Sequence, residues 1–414
     1  MTDKPLDPSQ VRDQFPAFSR LCGDQPVAYF DGPAGSQVPQ CVIDAVGEYL
    51  AHANANCGGP TATSRATDAM FNAARKAMGD LLGTEETDGI VFGANMTTLT
   101  FSLSRTLAQT WKPGDEIILS RLDHDANVTP WVIAAERAGV TVRHIDIQTE
   151  DCTLNLDQFD DLLTDRTRLV AVGAASNATG TINPIGDIVA RSRSVGALTY
   201  VDAVHYAPHR LIDVSDWGCD FVVCSAYKFF GPHVGILWGQ PDRLDSLRPD
   251  HLRPVPEQNP DKWMTGTQCH EGIAGVIAAV DYLASLSSIG PDQPRRQRLV
   301  DAFGAIERHE RELSRHLLAG LQQLPAYRVW GVTDPRALEL RVPTVSVTHR
   351  SRSPQELVEQ LAEQGIYAWA GNHYAVPFTT AAGLEPNGTL RVGALHYNTL
   401  AEIDRLLGQL AALT

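Results

Sequence analysis

Short apolar segments alternate with helix-periodic segments through the middle of the chain, and this alternation constrains the fold more than any other feature. Residues 116–120 (EIILS) precede an amphipathic stretch at 128–138, and residues 168–172 (RLVAV) precede another at 185–195. The apolar segments have the length and the β-branched content of strands rather than helices. The pattern therefore predicts an α/β fold, in which helices cover both faces of a mostly parallel sheet.

Two of the predicted strands end in a functional group. Residues 198–202 end in Asp202, and residues 221–225 lead directly into Lys228. In parallel sheets the ligand lies beyond the carboxyl ends of the strands, so we expect the two side chains to meet there. Pyridoxal 5'-phosphate (PLP) requires such a pair, because the amine forms a Schiff base with its aldehyde and the carboxylate keeps the pyridine nitrogen protonated. The sequence thus predicts a PLP enzyme.

One further strand and the length of the chain complete the predicted architecture. Residues 235–239 (GILWG) follow Lys228 too closely for a helical crossover, so we expect this strand to run antiparallel and the sheet to be mixed. At 414 residues the chain exceeds the size at which a single hydrophobic core stops growing. We expect an N-terminal segment (1–30), a large PLP-binding domain (31–287) and a smaller C-terminal α+β domain (288–414).

Charge and cysteine usage exclude several classes of function. The formal net charge of −15 would repel the phosphates of nucleic acids and of anionic membranes. The seven cysteines show no Cys-x-x-Cys spacing, and Pro208 interrupts the helix that a His205/His209 metal pair would need. The first residues lead into no apolar stretch. We therefore expect a cytoplasmic enzyme that binds no metal, no nucleic acid and no membrane.

Several short motifs occur in a fixed order along the chain. They are residues 29–34 (YFDGPA), 120–127 (SRLDHDAN), 176–184 (SNATGTINP), 201–205 (VDAVH) and 225–228 (SAYK). Together they resemble the class V aminotransferases of PLP fold type I, within the cysteine desulfurase-like branch, over about residues 29–399. The 120–127 motif resembles the family's Glu-His-His-Ala-Asn element. The resemblance implies an amino-acid substrate and a homodimer with shared active sites.

The resemblance also assigns residues around the cofactor ring and the substrate. It implies that His124 stacks on the ring and moves protons. It implies that Asn177 and His205 bond the phenolic oxygen of the cofactor. Arg391, within residues 390–393 (LRVG), is implied to bind the α-carboxylate of the substrate through its planar, bidentate guanidinium.

A second set of residues is predicted to bind the cofactor phosphate. Residues 93–98 (GANMTT) lie between a predicted strand and a predicted helix, so backbone N–H groups and the helix dipole converge there. Residues 263–267 (WMTGT) resemble a loop that reaches the phosphate from the neighbouring subunit in this family. The residues expected at the phosphate are Asn95, Met96, Thr97, Ser225, Tyr227 and Thr267.

The loop at residues 368–377 (AWAGNHYAVP) departs from the cysteine desulfurase pattern. Those enzymes carry a nucleophilic cysteine shortly after an Arg-x-Gly, whereas this chain has Tyr374 at the cysteine position and Trp369 at the arginine position. Because a phenol does not accept a persulfide, we expect sulfur transfer through this loop to be lost. Cys57 lies in another glycine-rich loop, and a desulfurase that uses this non-family cysteine is one alternative.

Three reactions stay open once the amino acid has formed an external aldimine and lost its Cα proton: elimination, transamination and epimerisation. We favour β-elimination, as in C–S lyases, because Tyr374 and His373 could serve as acid and base near a leaving group. Trp369 and Asn372 are expected to contact the substrate. The alternatives are an aminotransferase or epimerase of the same family and a catalytically silent binding protein. The Ser-x-x-Lys at 225–228 also matches a serine β-lactamase motif, but the chain lacks the accompanying Lys-Thr-Gly.

Overall fold

The computed structural model of the protein describes residues 5–413 and contains a seven-stranded sheet. Across the sheet the strand order is β1-β7-β6-β5-β4-β2-β3, numbered along the chain. The β7 strand pairs antiparallel with both of its neighbours, and all other pairs are parallel. The predicted α/β fold with a mostly parallel, mixed sheet is confirmed. The strands are β1 Ile90–Gly93, β2 Glu116–Ser120, β3 Thr141–Ile145, β4 Thr167–Gly173, β5 Leu198–Asp202, β6 Phe221–Ser225 and β7 Gly235–Gly239.

Both faces of this sheet are buried, and successive residues of each strand point to opposite faces. Within β6, Val222 and Cys224 belong to one hydrophobic cluster, whereas Phe221 and Val223 belong to the other. The second cluster lies under the helices that follow β1 and β2. The first cluster is covered by a larger group of helices, three of which precede the sheet in the chain.

The helices begin and end at ordinary capping signals. Asn95 caps the helix after β1, since its Oδ1 accepts from the N–H of Thr98 at 2.9 Å. Ser353 and Thr399 each begin a helix with a complete capping box. Within residues 5–413, no helix has the length and apolar content to cross a membrane. The helices are Pro8–Arg12, Gln40–His52, Ala62–Leu82, Met96–Ala108, Thr129–Ala138, Leu156–Leu162, Ile185–Ser194, Val214–Trp217, Pro241–Ser246, His270–Ser285, Arg295–Gln322, Pro354–Glu363, Val376–Ala381 and Leu400–Ala412.

A smaller antiparallel sheet forms in the C-terminal part, with the order β8-β9-β11-β10. Three helices cover it through Leu317, Leu361 and Leu406. The smaller α+β unit expected from the sequence is therefore present. The core of this unit also includes Phe30, so the N-terminal part of the chain packs against the small sheet. The exact limits of the two domains stay a prediction. The strands are β8 Tyr327–Trp330, β9 Thr344–His349, β10 Trp369–Gly371 and β11 Thr389–Gly393, and short pairs join Ala28–Tyr29 to Ile366–Tyr367, Leu21–Cys22 to Gln25–Pro26 and Ile147–Gln148 to Thr153–Leu154.

The turn between β1 and its helix lies directly against β7. Gly235 pairs with Gly93 in the sheet, and a Cβ atom at Gly235 would overlap the backbone of Asn95. Glycine therefore lets the helix N-terminus approach the end of β6, where the N–H of Met96 donates to Ser225 Oγ at 3.1 Å. This close approach positions the predicted phosphate site.

Gly235→Ala should lower the free energy of unfolding by ~1–3 kcal/mol, because the added methyl displaces the Asn95 backbone. It should also weaken PLP binding, since the helix N-terminus moves. Gly408→Ala is the matched control: Gly408 lies inside the last helix with no atom near its Cβ position, so alanine should stabilise by about 0.5–1 kcal/mol. Urea unfolding and PLP titration measure both effects. Equal unfolding midpoints for Gly235→Ala and the parent protein would contradict the close approach.

Candidate active site

A cavity of about 670 Å³ opens where the carboxyl ends of the parallel strands meet the small sheet. A narrower pocket of about 70 Å³ adjoins it and reaches Asp202. Both are bordered by Thr97, His124, Asn177, Tyr227 and Lys228. The structure thus brings together most of the residues predicted from sequence. The wider cavity adds Trp369, Asn372, His373, Tyr374 and Arg391, and the narrow pocket adds Met96, Asp202 and His205.

Lys228 lies in a short turn beyond β6, and its side chain is enclosed. Its Nζ donates to the carbonyl oxygen of Pro33 and lies 5.0 Å from the centre of the Tyr227 ring. Burial, and then the positive charge of Arg391, lower the pKa of Lys228 to about 7, although Asp202 acts in the opposite direction. A large fraction of this amine is therefore unprotonated at neutral pH, which is the form that attacks an aldehyde.

Asp202 ends β5 and is buried. Its Oδ1 accepts from the N–H of Val204 at 2.9 Å. Burial raises the pKa of Asp202 to about 6, against the attraction of Lys228. The carboxylate is ionised above that pH and can hold a cation in the narrow pocket.

A second buried carboxyl, Asp123, borders the same narrow pocket. The Ser120 hydroxyl donates to it, and Asn127 Nδ2 donates to it at 2.9 Å. Burial raises the pKa of Asp123 to about 7, and repulsion by Asp202 adds to the shift. Sequence reasoning assigns no role to Asp123, although it lies in the 120–127 motif just beyond β2. That position at a strand end is the signal that could have identified it.

His124 presents a neutral ring at the boundary between the two pockets. Its Nδ1 accepts from the N–H of Ala126 at 3.0 Å, which places the ring hydrogen on Nε2. Burial and the charges of Lys228 and Arg391 lower the pKa of His124 to about 4. Its ring lies 5.5 Å from the Tyr374 ring at an interplanar angle of 24°. A flat, uncharged imidazole suits stacking on an aromatic cofactor.

Two polar atoms at this site are buried without a partner, Asn177 Oδ1 and His205 Nδ1. Each side chain is held at its other end: Asn177 Nδ2 donates to the His373 carbonyl at 2.8 Å, and His205 Nε2 lies 2.9 Å from Thr344 Oγ1. Because buried polar groups normally find partners, the unsatisfied atoms indicate a polar ligand in the narrow pocket. Together with the Asp202 carboxylate and the Lys228 amine, they fit PLP.

The predicted phosphate residues largely converge at the N-terminus of the helix Met96–Ala108. The first N–H groups of a helix lack intrahelical acceptors and favour an anion. Asn95, Thr97, Ser225 and Tyr227 lie around this helix end. Thr267 does not lie with them. It borders two separate clefts of about 440 and 750 Å³, the larger of which reaches the outer side of the 93–98 turn.

Arg391 enters the cavity from β11 of the small sheet. Its Nη1 donates to the Asn177 carbonyl at 2.9 Å, and burial lowers its pKa to about 9, so it stays charged at neutral pH. Asp31, buried nearby, has one oxygen without a partner, and burial raises its pKa to about 6 despite Arg391. Asp31 belongs to the 29–34 motif, yet sequence reasoning gives it no role in the site.

The loop at residues 368–377, in which Tyr374 stands at the position of the family's cysteine, has an unusual backbone conformation. His373 and Tyr374 both have φ near +56°, which residues other than glycine rarely adopt. His373 Nε2 lies 3.1 Å from the Thr389 carbonyl, so it carries the hydrogen, and burial lowers the pKa of His373 to about 2. Asn372 Oδ1 accepts from the N–H of Tyr374 at 3.1 Å. The acid and base roles of His373 and Tyr374 stay a prediction.

No cysteine of residues 5–413 borders either of the two adjoining pockets. Cys57 borders the 440 Å³ cleft, and Cys269 borders the 750 Å³ cleft. Burial, followed by the charge of Asp68, raises the pKa of the Cys57 thiol, which disfavours the nucleophilic thiolate. The amine and guanidinium of the cavity therefore have no thiol beside them.

Known proteins match this chain over nearly its full length. The family model described as "Aminotransferase class-V" matches residues 28–406. The chain is 31% identical over 417 residues to a cysteine desulfurase of Pectobacterium carotovorum, covering 97% of this chain and 96% of that protein. It is 31% identical over 428 residues to a probable cysteine desulfurase of Streptomyces coelicolor, covering 98% and 97%. The solved apo cysteine desulfurase of Thermococcus onnurineus has a TM-score of 0.88 at 25% identity, covering 100% of this chain and 99% of that chain.

The rate at which the cofactor-free protein captures PLP should rise with pH through about 7 and level off above about 8. The unprotonated amine reacts, and its fraction falls about tenfold per pH unit below the pKa. A lysine with the usual pKa of 10.5 would instead continue to gain reactivity up to that pH. Stopped-flow absorbance measures the rate, with Nα-acetyl-lysine as the control amine and Lys228→Ala as the variant without capture. A continued rise to pH 10 in the protein would contradict the depressed pKa.

Proposed function

The chain belongs to the class V aminotransferase family of PLP-dependent enzymes, and we propose that it removes the Cα proton of an amino acid and expels the β-substituent, as a C–S lyase does. One observation carries the proposal. The cavity contains the Lys228 amine and the Arg391 guanidinium, but Tyr374 occupies the position of the family's nucleophilic cysteine. The groups that would deprotonate an amino acid border this cavity, and a thiol to receive sulfur is not among the residues that border it.

The narrow pocket supplies the groups that would hold the cofactor. When bound, PLP supplies an aldehyde that captures amines and a pyridine ring that withdraws electrons from Cα. Asp202 would pair with the pyridine nitrogen, and His124 would stack on the ring. Asn177 and His205 have the unsatisfied polar atoms for the ring oxygen. The end of the helix Met96–Ala108 and Ser225 would bind the phosphate.

Arg391 and Lys228 would act on the amino acid itself. The guanidinium of Arg391 offers two parallel N–H donors, a geometry that orients an α-carboxylate. Lys228 Nζ would then take the Cα proton, and its pKa of about 7 suits a base that works near neutral pH. Arg391 would fix the α-carboxylate while Lys228 supplies the base, so the two residues together would determine which bond at Cα is broken.

Elimination from an S-substituted cysteine needs no oxidant, reductant or second substrate besides water. The Cβ–S bond breaks, the sulfur leaves with the bonding electrons, and it is protonated to a thiol. The remaining three-carbon fragment takes up water and yields pyruvate and ammonium. The exposed Tyr374 hydroxyl at the cavity mouth is our candidate for the proton donor to the leaving sulfur.

With L-cysteine or an S-alkyl cysteine, the enzyme should release pyruvate and sulfide, or the thiol, in equal amounts. No alanine and no protein persulfide should form, because the phenol of Tyr374 is a poor sulfur acceptor. Mass spectrometry of the protein and quantification of pyruvate, alanine and sulfide test this. Lys228→Ala should abolish product while leaving the fold intact.

Alanine in equal amount to a persulfide on any wild-type cysteine would overturn elimination and point first to Cys57. Keto-acid formation with conversion of PLP to its amine form would instead indicate transamination. Loss of the Cα configuration without product release would indicate epimerisation. Absence of any amino-acid-dependent change in cofactor absorbance would favour a silent binding protein.

A homodimer with shared active sites is part of the proposal. Thr267 lies outside its own chain's cofactor pocket but borders a cleft of about 750 Å³ that runs along the outer side of the phosphate turn. Residues 263–267 resemble a loop that serves the phosphate of the neighbouring subunit. A second copy of the chain that docks over this cleft would bring its own Thr267 to the phosphate.

Mixing two defective variants tests the shared site. Lys228→Ala lacks the amine, and Thr267→Glu places a negative charge beside the phosphate, so each homodimer should be inactive or nearly so. If Thr267 serves the neighbouring subunit, co-expressed chains should recover about a quarter of wild-type activity, since half of the dimers are hybrids with one intact site each. If Thr267 serves its own subunit, no activity returns. Sedimentation of a fully active monomer would also exclude the shared site.

A cytoplasmic location is also part of the proposal. All seven cysteines are free thiols. Disulfides persist in oxidising compartments and are rare in the cytosol, so unpaired cysteines suit a reducing environment.

A further inference from the structure

Three departures from the family pattern lie on one wall of the active-site cavity. Trp369 occupies the position of the pattern's arginine, and Tyr374 that of its cysteine. Asp125 occupies the position of the second histidine in the Glu-His-His-Ala-Asn element that residues 123–127 resemble. All three border the cavity of about 670 Å³. The wall has therefore lost basic groups and gained a carboxylate and two aromatic rings.

The Asp125 carboxylate is oriented but not neutralised. The Thr129 hydroxyl, which is an uncharged donor, lies 3.0 and 2.9 Å from the two carboxylate oxygens of Asp125. Within residues 5–413, Asp125 forms no ion pair with a lysine, arginine or histidine side chain. Two carboxylate oxygens offer about four acceptor positions, so one hydroxyl leaves most of them available. A fixed negative charge thus faces a space large enough for a ligand.

The two aromatic side chains border the same cavity as this charge. The N–H of Asp125 donates to the Tyr374 carbonyl at 2.7 Å. This bond connects the backbone of Asp125 to the loop at residues 368–377, which carries both rings. Trp369 is 53% exposed and Tyr374 is 70% exposed, so much of each ring is open, and one face of the Tyr374 ring lies toward the His124 ring. Trp369 lies directly opposite Arg391 in the small sheet, and hence next to the end of the cavity that binds the α-carboxylate.

A carboxylate beside exposed aromatic faces is the arrangement that binds cations, because both the negative charge and the ring quadrupoles attract positive charge. The other charged groups of the cavity do not compete for this role. In the proposed function Arg391 would bind the α-carboxylate and Lys228 would hold the cofactor, and His124 is neutral at neutral pH because its pKa is lowered to about 4.

We propose that the substrate is an amino acid whose side chain carries a positively charged group beyond the β-substituent, held by Asp125 between Trp369 and Tyr374. The inference rests on the proposed function only in placing the α-carboxylate at Arg391. Combined with the proposed elimination, it implies that the leaving group is a thiol that carries a cationic substituent. Anionic side chains are disfavoured, since they would meet the Asp125 carboxylate.

Three S-substituted cysteines of nearly equal size test the preference on the holoenzyme. S-(2-aminoethyl)-L-cysteine is cationic, S-propyl-L-cysteine is neutral and S-carboxymethyl-L-cysteine is anionic. Affinities are read by stopped-flow from the change in cofactor absorbance, before product accumulates. The cationic ligand should bind roughly tenfold more tightly than the neutral one, and the anionic ligand should bind most weakly.

Asp125→Asn keeps the size of the side chain and its bond to Thr129 but removes the charge. It should bring the ratio of the aminoethyl and propyl affinities close to one. Trp369→Leu should lower the same ratio by removing a ring face. Asp187→Asn is the matched control, because Asp187 is an exposed carboxylate at the start of the helix Ile185–Ser194, far in the chain from the cavity wall. In Asp187→Asn the ratio of the aminoethyl and propyl affinities should equal that of the parent enzyme.

The outcomes separate this inference from the proposed elimination. Tighter binding of the cationic ligand without pyruvate release supports the substrate class and refutes elimination. Pyruvate release from all three ligands with equal affinities supports elimination and refutes the cation site. A preference for the neutral or anionic ligand, or an unchanged ratio in Asp125→Asn, also overturns the cation site.

Discussion

A buried guanidinium joins the two sheets, and the geometry of the site depends on it. Arg341 is 1% exposed and donates to the carbonyl oxygens of Thr179, Val332 and Thr344, which connect the turn after β4 to the small sheet. A buried charge is stable only when its donors are satisfied, so this contact fixes how the sheets meet. Arg391 then bonds the Asn177 carbonyl of the same turn. Arg391 and Lys228 therefore come from different sheets that are connected by this one buried contact.

The large sheet could be predicted because its strands are buried on both faces. Burial on both sides demands continuous apolar segments, so the charged residues Asp202, at the end of β5, and Lys228, just after β6, stand out in the sequence. The helices Gln40–His52 and Ala62–Leu82 precede the alternating segments and were not predicted. Their apolar residues are separated by many polar ones, and only packing against His270–Ser285 shows which face is buried.

The site itself was predictable where a residue follows a strand or belongs to an ordered motif. Asp123, Asp31 and Arg341 were missed, because a buried charged residue looks like a surface residue until its partners are known. Thr267 shows the opposite limit: a motif can indicate a phosphate contact, but within its own chain Thr267 borders two clefts that lie apart from the other predicted phosphate residues. The orientation of His373 toward Thr389 was likewise not visible from sequence, since it depends on two consecutive residues with positive φ.

The exposure of Trp369 and Tyr374 has a consequence for how such a protein can diverge. Substitutions at exposed positions usually change the free energy of unfolding little, whereas the strand residues that carry Lys228 and Asp202 tolerate almost no change. Selection can therefore alter the cavity wall one residue at a time while Lys228 and Asp202 stay in place. An ancestral sulfur-transfer enzyme could lose its thiol and acquire a new leaving group along a path on which every intermediate protein still folds.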